Sequence, residues 1–461
     1  MDDRNMEMAR RVAAAVASEG GRTYYVGGLV RDRLLGRDNK DIDIEVHGVT
    51  VQTLENILDS LGERVALGAN FGIMGLRHYE LDIAMPRSET ATGRGHKDFA
   101  VYVDPFLGEE KAARRRDFTM NALMQDVLTG EILDFFGGQE DLKRGLIRHV
   151  DDRSFVEDPL RALRAAQFAA RFGFTVAEET AELSATMDLA ALPGERIMGE
   201  LEKALLKAER PSIFFEEMRR MRQLHDWFPE LEALIGLMQN PAFHPEGDVW
   251  IHTMQVLDEA AALRPSAEEP LWFVLSALCH DMGKAVTTEE SGGVLHAYEH
   301  EKKGLPTVKG FLRRMTREVK LTQYVLNMTE LHMKPNMLVA NNAHIRSYMR
   351  MYDRSVCPED LLLLAKADHL GRAAPGHDRE ALLSSYAGTE SRLREMLALY
   401  FDRMSQPCLM GRDLIEAGLE PGPSFTAALA YAHKLRLAGR PKEEQLKQAL
   451  SFAQQQNRKA L

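Results

Sequence analysis

Cysteine is scarce in this 461-residue chain. Only Cys279, Cys357 and Cys408 occur, too few and too scattered for a disulfide framework or a thiolate metal site, as expected in a reducing compartment. Positive charge is not in excess either. Lys+Arg 58 against Asp+Glu 69 gives a net charge of −11, which argues against adhesion to nucleic acid or an anionic membrane through global charge and leaves only local basic patches for such contacts. No apolar run approaches the ~18 residues of a membrane-spanning helix, and the opening Met-Asp-Asp-Arg has no basic stretch leading into an apolar one, so the expectation is a cytoplasmic chain with no membrane partner. Internal repeats and low-complexity tracts are missing. What is present, 45% hydrophobic and 28% charged residues, is the balance of an ordinary globular protein, over a length that suggests about three domains of ~150 residues.

Up to about residue 145, short β-like runs (23–26, 41–46, 81–84 and 100–103) alternate with helical segments and glycines. From Pro159 onward the apolar spacing is helical, as in Leu160, Leu163, Ala166, Phe168 and Phe172, and strand-like alternation almost disappears. Pro193-Gly194, Asn240-Pro241 with His244-Pro245, and Pro375-Gly376 are plausible breaks, and Leu419-Glu-Pro-Gly-Pro423 is a turn opening a C-terminal helical segment.

The first chemical signal is Val26-Gly-Gly-Leu-Val-Arg-Asp32, followed by Asp41-Ile-Asp43. A strand ending in Gly27-Gly28 lets the backbone approach a phosphate, amides at the start of the following helix can bind its oxygens, and Arg31 can add a charged contact. Asp41 and Asp43 are two apart in an apparent strand and leave the same face, where they can share hard cations such as Mg²⁺. Asp82, on a later strand, can supply a third carboxylate, and three acidic groups around two metals make a phosphoryl-transfer site.

These elements are followed by Arg114-Arg-Arg-Asp-Phe-Thr-Met-Asn-Ala122, Glu157-Asp-Pro-Leu-Arg-Ala-Leu-Arg164 and Glu195-Arg-Ile197. The series resembles the class II tRNA nucleotidyltransferases, the CCA-adding enzymes and bacterial poly(A) polymerases, with five motifs in the family's order across roughly the first 205 residues. The resemblance implies that Gly27, Gly28 and Arg31 hold the nucleotide triphosphate and that Asp41, Asp43 and Asp82 are the catalytic carboxylates. It further implies that Arg116, Asp117 and Asn121 contact ribose and phosphates. Asp158 and Arg161, i and i+3 at the start of a helix, with Arg164 a turn further, would hydrogen-bond the edge of the incoming base, so that protein replaces a nucleic-acid template. Two departures stand out: Lys111-Ala-Ala113 precedes the Arg-Arg-Asp motif where the family often has an acidic residue and Leu, and Gln167 occupies the place of a common third Arg.

A second constellation comprises His252, His280-Asp281 in Leu278-Cys-His-Asp-Met-Gly-Lys284, His296, His300, His332 and Asp368. Imidazoles and carboxylates on helices form a mixed N/O site suited to a divalent transition metal, and a metal there can activate water against a phosphoester. The order resembles the HD metal-dependent phosphohydrolases over about residues 245 to 372. That likeness implies a site of one or two metals held by His252, His280, Asp281, His300, His332 and Asp368, with a transition metal or Mg²⁺. With the upstream Asn240-Pro-Ala-Phe-His-Pro-Glu246, the arrangement is similar to bacterial CCA-adding enzymes that carry an HD domain.

The expected fold is α+β: a polymerase-β-like nucleotidyltransferase head with a mixed sheet, followed by an all-α body containing an HD domain. The expected boundaries are 1–145 for the head, 146–238 for a helical nucleotide-template and RNA-binding region, 239–400 for the HD domain and 401–461 for a C-terminal helical segment. The implied substrates and partners are tRNA, ATP and CTP, with a phosphatase or 2′,3′-cyclic phosphodiesterase activity at the HD site. Poly(A) addition, or addition of only CC or only A, shares the same motifs, and a metal phosphohydrolase with a non-catalytic RNA-binding head is the alternative of another class. Two local basic clusters, Lys302 to Lys320 and Lys434 to Lys459, are candidate contacts for RNA phosphates.

Overall fold

A computed structural model describes residues 3–68, 73–91, 99–373 and 379–459. The chain divides into two compact units, one of residues 1–204 with 213–226 and the other of residues 205–212 with 227–461.

The first unit opens with α1 (Asp3–Ser18), whose Ala9, Val12, Ala13 and Val16 recur at helical spacing and are buried on one stripe. It is followed by β1 (Arg22–Val26), α2 (Gly28–Leu34), β2 (Ile42–His47) and α3 (Val51–Leu61). Thr50 caps α3, its hydroxyl accepting from Thr53 N at 3.2 Å, and Leu54, Ile57 and Leu58 face the core. Then come β3 (Arg64–Gly68), β4 (Ile73–Leu76), β5 (Leu81–Ala84), the hairpin β6 (Arg87–Ala91) and β7 (Phe99–Val103), β8 (Met124–Asp126) and β9 (Ile132–Leu133).

Seven strands form one sheet in the order β3-β4-β5-β2-β1-β8-β9. It is mixed, because β2 pairs antiparallel with β1 and parallel with β5. Ile42, Ile44 and Val46 alternate into the core, so Asp43 and Glu45 are turned to the opposite face. The four β-like runs read from the sequence correspond to β1, β2, β5 and β7. Of the remaining strands, β8 and β9 have three and two residues, too few to show alternation.

Helix Leu160–Phe172 follows the sheet, ended by Gly173 in the left-handed region at φ 70°. Its buried Leu160, Leu163, Ala166 and Ala170 make the packed stripe that the helical spacing predicts.

The second unit is almost all helix, with helices Val249–Leu263, Pro270–Cys279, Val319–Leu331 and Pro358–Leu370 packed around one core. Among the described residues the body expected to be all-α departs from that in a hairpin of Thr288–Ser291 and Val294–Ala297 here and, in the first unit, in a short parallel pair of Leu146–Ile147 with Thr175–Val176. Asp248 caps the first of these helices, accepting from Ile251 N at 2.8 Å. Gly283 is required by close packing: a Cβ there would lie 2.1 Å from His300 O, so any side chain would push the segment bearing His300 away from the one bearing Asp281. The expected break at Pro375-Gly376 lies outside the described residues. A C-terminal helix begins at Pro423, immediately after the predicted turn, and no described helix is long and apolar enough to cross a membrane.

Candidate functional site

Two groups of functional side chains emerge, one in each unit.

In the first, Asp43 on β2 is directly opposite Asp82 on β5, in register across the parallel pair. Burial and the neighbouring Asp82 raise the Asp43 pKa above the ordinary carboxylate value, while Arg116 opposes the rise. Two carboxylates pushed together in this way are the electrostatic complement of a divalent cation. Asp41 is exposed and lies just before β2 rather than within it, near enough for its charge also to act on Asp43.

A cavity of about 290 Å³ is lined by Asp43, Glu45, Asp82, Arg115 and Arg116 among others. Gly27, at φ 67°, borders it: a Cβ there would lie 3.6 Å from Arg116 Nη1 and 3.7 Å from Asp43 Oδ2. The glycine therefore supplies both the backbone conformation and the clearance that a ligand between these charges needs. Gly28 begins α2, with Asn39 Nδ2 and Arg31 Nη2 at 3.2 and 3.4 Å from its hypothetical Cβ.

Several residues expected to touch nucleotide are joined to one another. Arg31 is buried, its Nε 2.7 Å from Asp32 Oδ1 and its Nη1 2.7 Å from Asn121 Oδ1. Asn121 donates to Asp117 Oδ1 at 2.9 Å, and Arg164 donates to Asp117 Oδ2 from two nitrogens at 2.8 and 2.6 Å. Burial works against ionising Asp117, but Arg164 and Asn121 outweigh it and hold its pKa below the ordinary value. Arg31, Asn121, Asp117 and Arg164 thus form a hydrogen-bonded chain, in which the buried Arg31 guanidinium finds the acceptors it needs.

Asp158 and Arg161, expected on one face of the same helix, do not both lie in it. The helix starts at Leu160, so Asp158 precedes it, accepting from Leu160 N at 3.2 Å and from Arg196 at 3.3 and 3.0 Å. Arg161 turns to the backbone, donating to Ser154 O at 2.7 Å and Arg115 O at 3.2 Å. Arg196 belongs to the Glu195-Arg-Ile197 segment, so its position in the motif series was visible even though its partner was not.

Glu45 was missed. It is buried, with Oε1 2.8 Å from His47 Nε2 and Oε2 3.3 Å from Arg116 Nη2. Burial opposes its ionisation, and His47 and Arg116 overcome that to keep its pKa low. Its place two residues after Asp43, on the same strand face, was the available signal.

In the second unit the imidazoles converge. His252 Nε2 lies 3.2 Å from Asp368 Oδ1 and 3.3 Å from His280 Nε2, while Asp281 Oδ2 is 3.3 Å from His280 Nε2. On the other side, Asp281 Oδ1 is 3.1 Å from His300 Nε2 and 3.6 Å from His332 Nε2. Asp281 therefore belongs to one triad of possible ligands, Asp281-His300-His332, and turns its other oxygen toward a second, His252-His280-Asp368. His280, His300 and His332 each place Nδ1 on the carbonyl three residues earlier, at 2.7, 2.9 and 2.7 Å, which leaves Nε2 to face the centre.

The donor set fits divalent cations, and Asp281 Oδ1, buried with the Nε2 atoms of His300 and His332 at 3.1 and 3.6 Å, stands where a cation shared with those nitrogens would be held. Despite burial, Lys284 and His280 hold the Asp281 pKa well below the usual range, and Arg372 and His252 do the same for Asp368. His296 is not part of this cluster; it stacks on Tyr298 with ring centroids 4.9 Å apart. The cluster opens into a cavity of about 530 Å³ whose lining includes His244, Lys284 and Arg372, none of which had been assigned a role, together with Asp281 and Asp368. Lys284 donates to Gln239 Oε1 at 2.7 Å and lies 2.7 Å from Asp281 Oδ2, and Arg372 donates to Asp368 Oδ2 at 2.7 Å.

The two basic clusters are partly consumed by structure. Lys302 and Lys303 face Glu299, Arg314 pairs with Glu230, Arg436 donates to backbone carbonyls and Lys442 pairs with Asp413. The side chains of Arg458 and Lys459 lie outside the described residues.

Three family models match the chain: the Poly A polymerase head domain over residues 23–148, the "Probable RNA and SrmB- binding site of polymerase A" over 173–235, and the HD domain over 249–373. A multifunctional CCA protein of Pasteurella multocida (strain Pm70) is 40% identical over 317 residues, covering 67% of this chain and 72% of the relative. Another, of Aliivibrio salmonicida (strain LFI1238), is 34% identical over 396 residues, covering 82% and 93%. Among solved structures, a CCA-adding enzyme in an apo form shares the fold with a TM-score of 0.66 at 21% identity, over 98% of this chain and 96% of that one. The Thermotoga maritima CCA-adding enzyme complexed with tRNA shares it with a TM-score of 0.60, also at 21% identity and over 98% and 96%. On sequence identity over most of the relatives' length, and with the same succession of head, RNA-binding and HD regions, the chain belongs to the family of multifunctional CCA proteins.

Proposed function

We propose that this protein is a tRNA nucleotidyltransferase that adds C, C and A to tRNA 3′ ends from CTP and ATP, and that its HD site hydrolyses phosphomonoesters or 2′,3′-cyclic phosphates. The observation that carries the first activity is the in-register Asp43–Asp82 pair facing a cavity that also holds Arg116. Residues 1–145 would be the catalytic head, 146–238 the nucleotide-template and RNA-binding region, 239–400 the hydrolytic domain and 401–461 a C-terminal helical segment, and a tRNA substrate places the work in the cytoplasm.

In the head, Gly27 and Gly28 let the triphosphate approach the backbone, Arg116 binds its oxygens, and Glu45 aims Arg116. Arg31, Asn121, Asp117 and Arg164 keep the floor of the site rigid, which holds the terminal ribose hydroxyl in line with the α-phosphate while pyrophosphate leaves. Asp158 and Arg161 would read the base with the lone pairs and N–H groups that their present partners leave unused. Divalent cations, Mg²⁺ in our reading, held by Asp41, Asp43 and Asp82 would supply the charge that acidifies the hydroxyl and neutralises the leaving phosphates.

In the HD site, His252, His280 and Asp368 would hold one divalent ion and His300 and His332 a second, with Asp281 between them. Lys284 and Arg372 fix the two carboxylates so that the histidine nitrogens need not reorganise on metal binding.

Primer extension on a tRNA lacking its 3′ CCA tests the reading: CTP alone should add two residues and CTP with ATP three. Extension by ATP alone into a long tail would assign poly(A) synthesis instead, and absence of pyrophosphate release with every nucleotide would leave only the hydrolytic site.

A further inference from the structure

We propose that His244 and Glu246 read the ribose of a nucleoside 2′- or 3′-phosphomonoester bound at the HD site: Glu246 fixes the tautomer of His244 so that Nε2 accepts a hydrogen bond from the hydroxyl next to the scissile phosphate. The inference rests on the hydrolytic reading of that site and adds a specificity determinant to it.

Glu246 is completely buried, and its Oε1 lies 2.8 Å from His244 Nδ1 and 2.8 Å from His252 Nδ1. A carboxylate in that position takes an N–H from each ring. For a neutral imidazole this puts the hydrogen of His244 on Nδ1 and leaves a lone pair on Nε2. The two rings meet edge to face, with centroids 4.9 Å apart and an interplanar angle of 80°. His252 turns its own Nε2 into the cluster, 3.2 Å from Asp368 Oδ1 and 3.3 Å from His280 Nε2. His244 is thus one ring removed from the ligand atoms, where the sugar carrying a bound phosphate would lie.

His244 lines the cavity, its side chain 15% exposed, and among the described residues Nε2 has no partner. Met238, Phe243 and Met337 line the same cavity and carry no N–H or O–H, while Lys284, Thr288, Asn336 and Arg372, also in its lining, donate to Gln239, Lys284 O, Ala365 O and Asp368. A ribonucleoside 2′- or 3′-phosphate brings one hydroxyl vicinal to its phosphate. A deoxyribonucleoside phosphate brings none, and a site built to bond a hydroxyl rejects the analogue that lacks it.

The test uses the full-length, metal-loaded protein with adenosine 2′- and 3′-phosphates and their matched deoxy analogues. Wild-type protein should favour the ribose compounds by about tenfold to a hundredfold in kcat/KM, the range expected for one unmade hydrogen bond in a buried site. His244→Ala should erase that ratio by slowing the ribose substrates alone, with bound metal and nucleotide addition unchanged. His244→Asn, which keeps a side-chain carbonyl acceptor, should restore part of it. Calorimetric titration of the metal-free protein with the same compounds gives a readout independent of turnover, and the ribose preference should appear there too and vanish in His244→Ala. Equal rates on ribose and deoxyribose esters in the wild type, an equal loss on both in the variant, or loss of bound metal in His244→Ala would overturn the assignment. If the loaded wild-type protein hydrolyses no ester at all, the hydrolytic reading itself fails, and the binding titration decides the role of His244 alone.

Discussion

Asp158 is paired with Arg196, whose Nη2 lies 3.0 Å from its Oδ2, while Arg161, three residues on, is committed to the carbonyls of Ser154 and Arg115. The acceptor and donor proposed to read the base are thus each set by a different part of the fold. Arg196→Ala should therefore loosen discrimination among CTP, ATP, UTP and GTP nearly as much as Arg161→Ala. Each loss removes a partner worth about 1–3 kcal/mol, or roughly tenfold to a hundredfold in selectivity. Single-nucleotide incorporation rates check it, and a uniform fall in all four rates for both variants would remove Asp158 and Arg161 from the reading of the base.

Asp41→Ala and Asp43→Ala should each abolish nucleotide addition with folding retained, since removal of a metal carboxylate forfeits several kcal/mol of transition-state stabilisation. Because burial and Asp82 raise the Asp43 pKa, protons compete with the cation as pH falls. The acidic limb of the pH–rate profile should accordingly move to lower pH as Mg²⁺ is increased. A limb that stays fixed over a wide Mg²⁺ range would place the controlling group elsewhere.

Glu45→Ala should raise KM for both nucleotides more than it lowers kcat, because it releases Arg116 without touching the carboxylates that hold metal. Glu45→Gln keeps one acceptor and should lose less. If both variants lose kcat alone, Glu45 acts on the chemical step rather than on Arg116.

His280→Ala and Asp281→Asn should reduce bound metal and eliminate phosphoester hydrolysis while primer extension persists, since their ligand clusters lie wholly within the second unit. Metal analysis alongside both assays separates the outcomes. Loss of extension in a folded, metal-depleted variant would show that the two activities are coupled.

Tyr324→Phe probes stability. Its hydroxyl donates to buried Asp360 at 2.5 Å, and Asp360 also accepts from Glu268 N at 3.0 Å and Glu269 N at 3.4 Å. Removing one donor from a buried carboxylate should cost about 1–3 kcal/mol, read as a lowered denaturation midpoint. An unchanged midpoint would mean that the two backbone donors suffice.

Motif order and local pattern already determined much of this protein. The alternation of Ile42, Ile44 and Val46 specified a strand and turned Asp43 to its open face, and the ordered histidines and aspartates announced a cluster of possible metal ligands, because such signals reside in short stretches of residues. Partner choice belonged to the tertiary structure. Arg31, Asn121, Asp117 and Arg164 are separated by up to 133 positions yet form one hydrogen-bonded chain, and Asp158 is held by Arg196 from a distant segment. A buried guanidinium or carboxylate must be satisfied by whatever acceptor or donor the packing brings within about 3 Å, and that proximity has no signature along the chain.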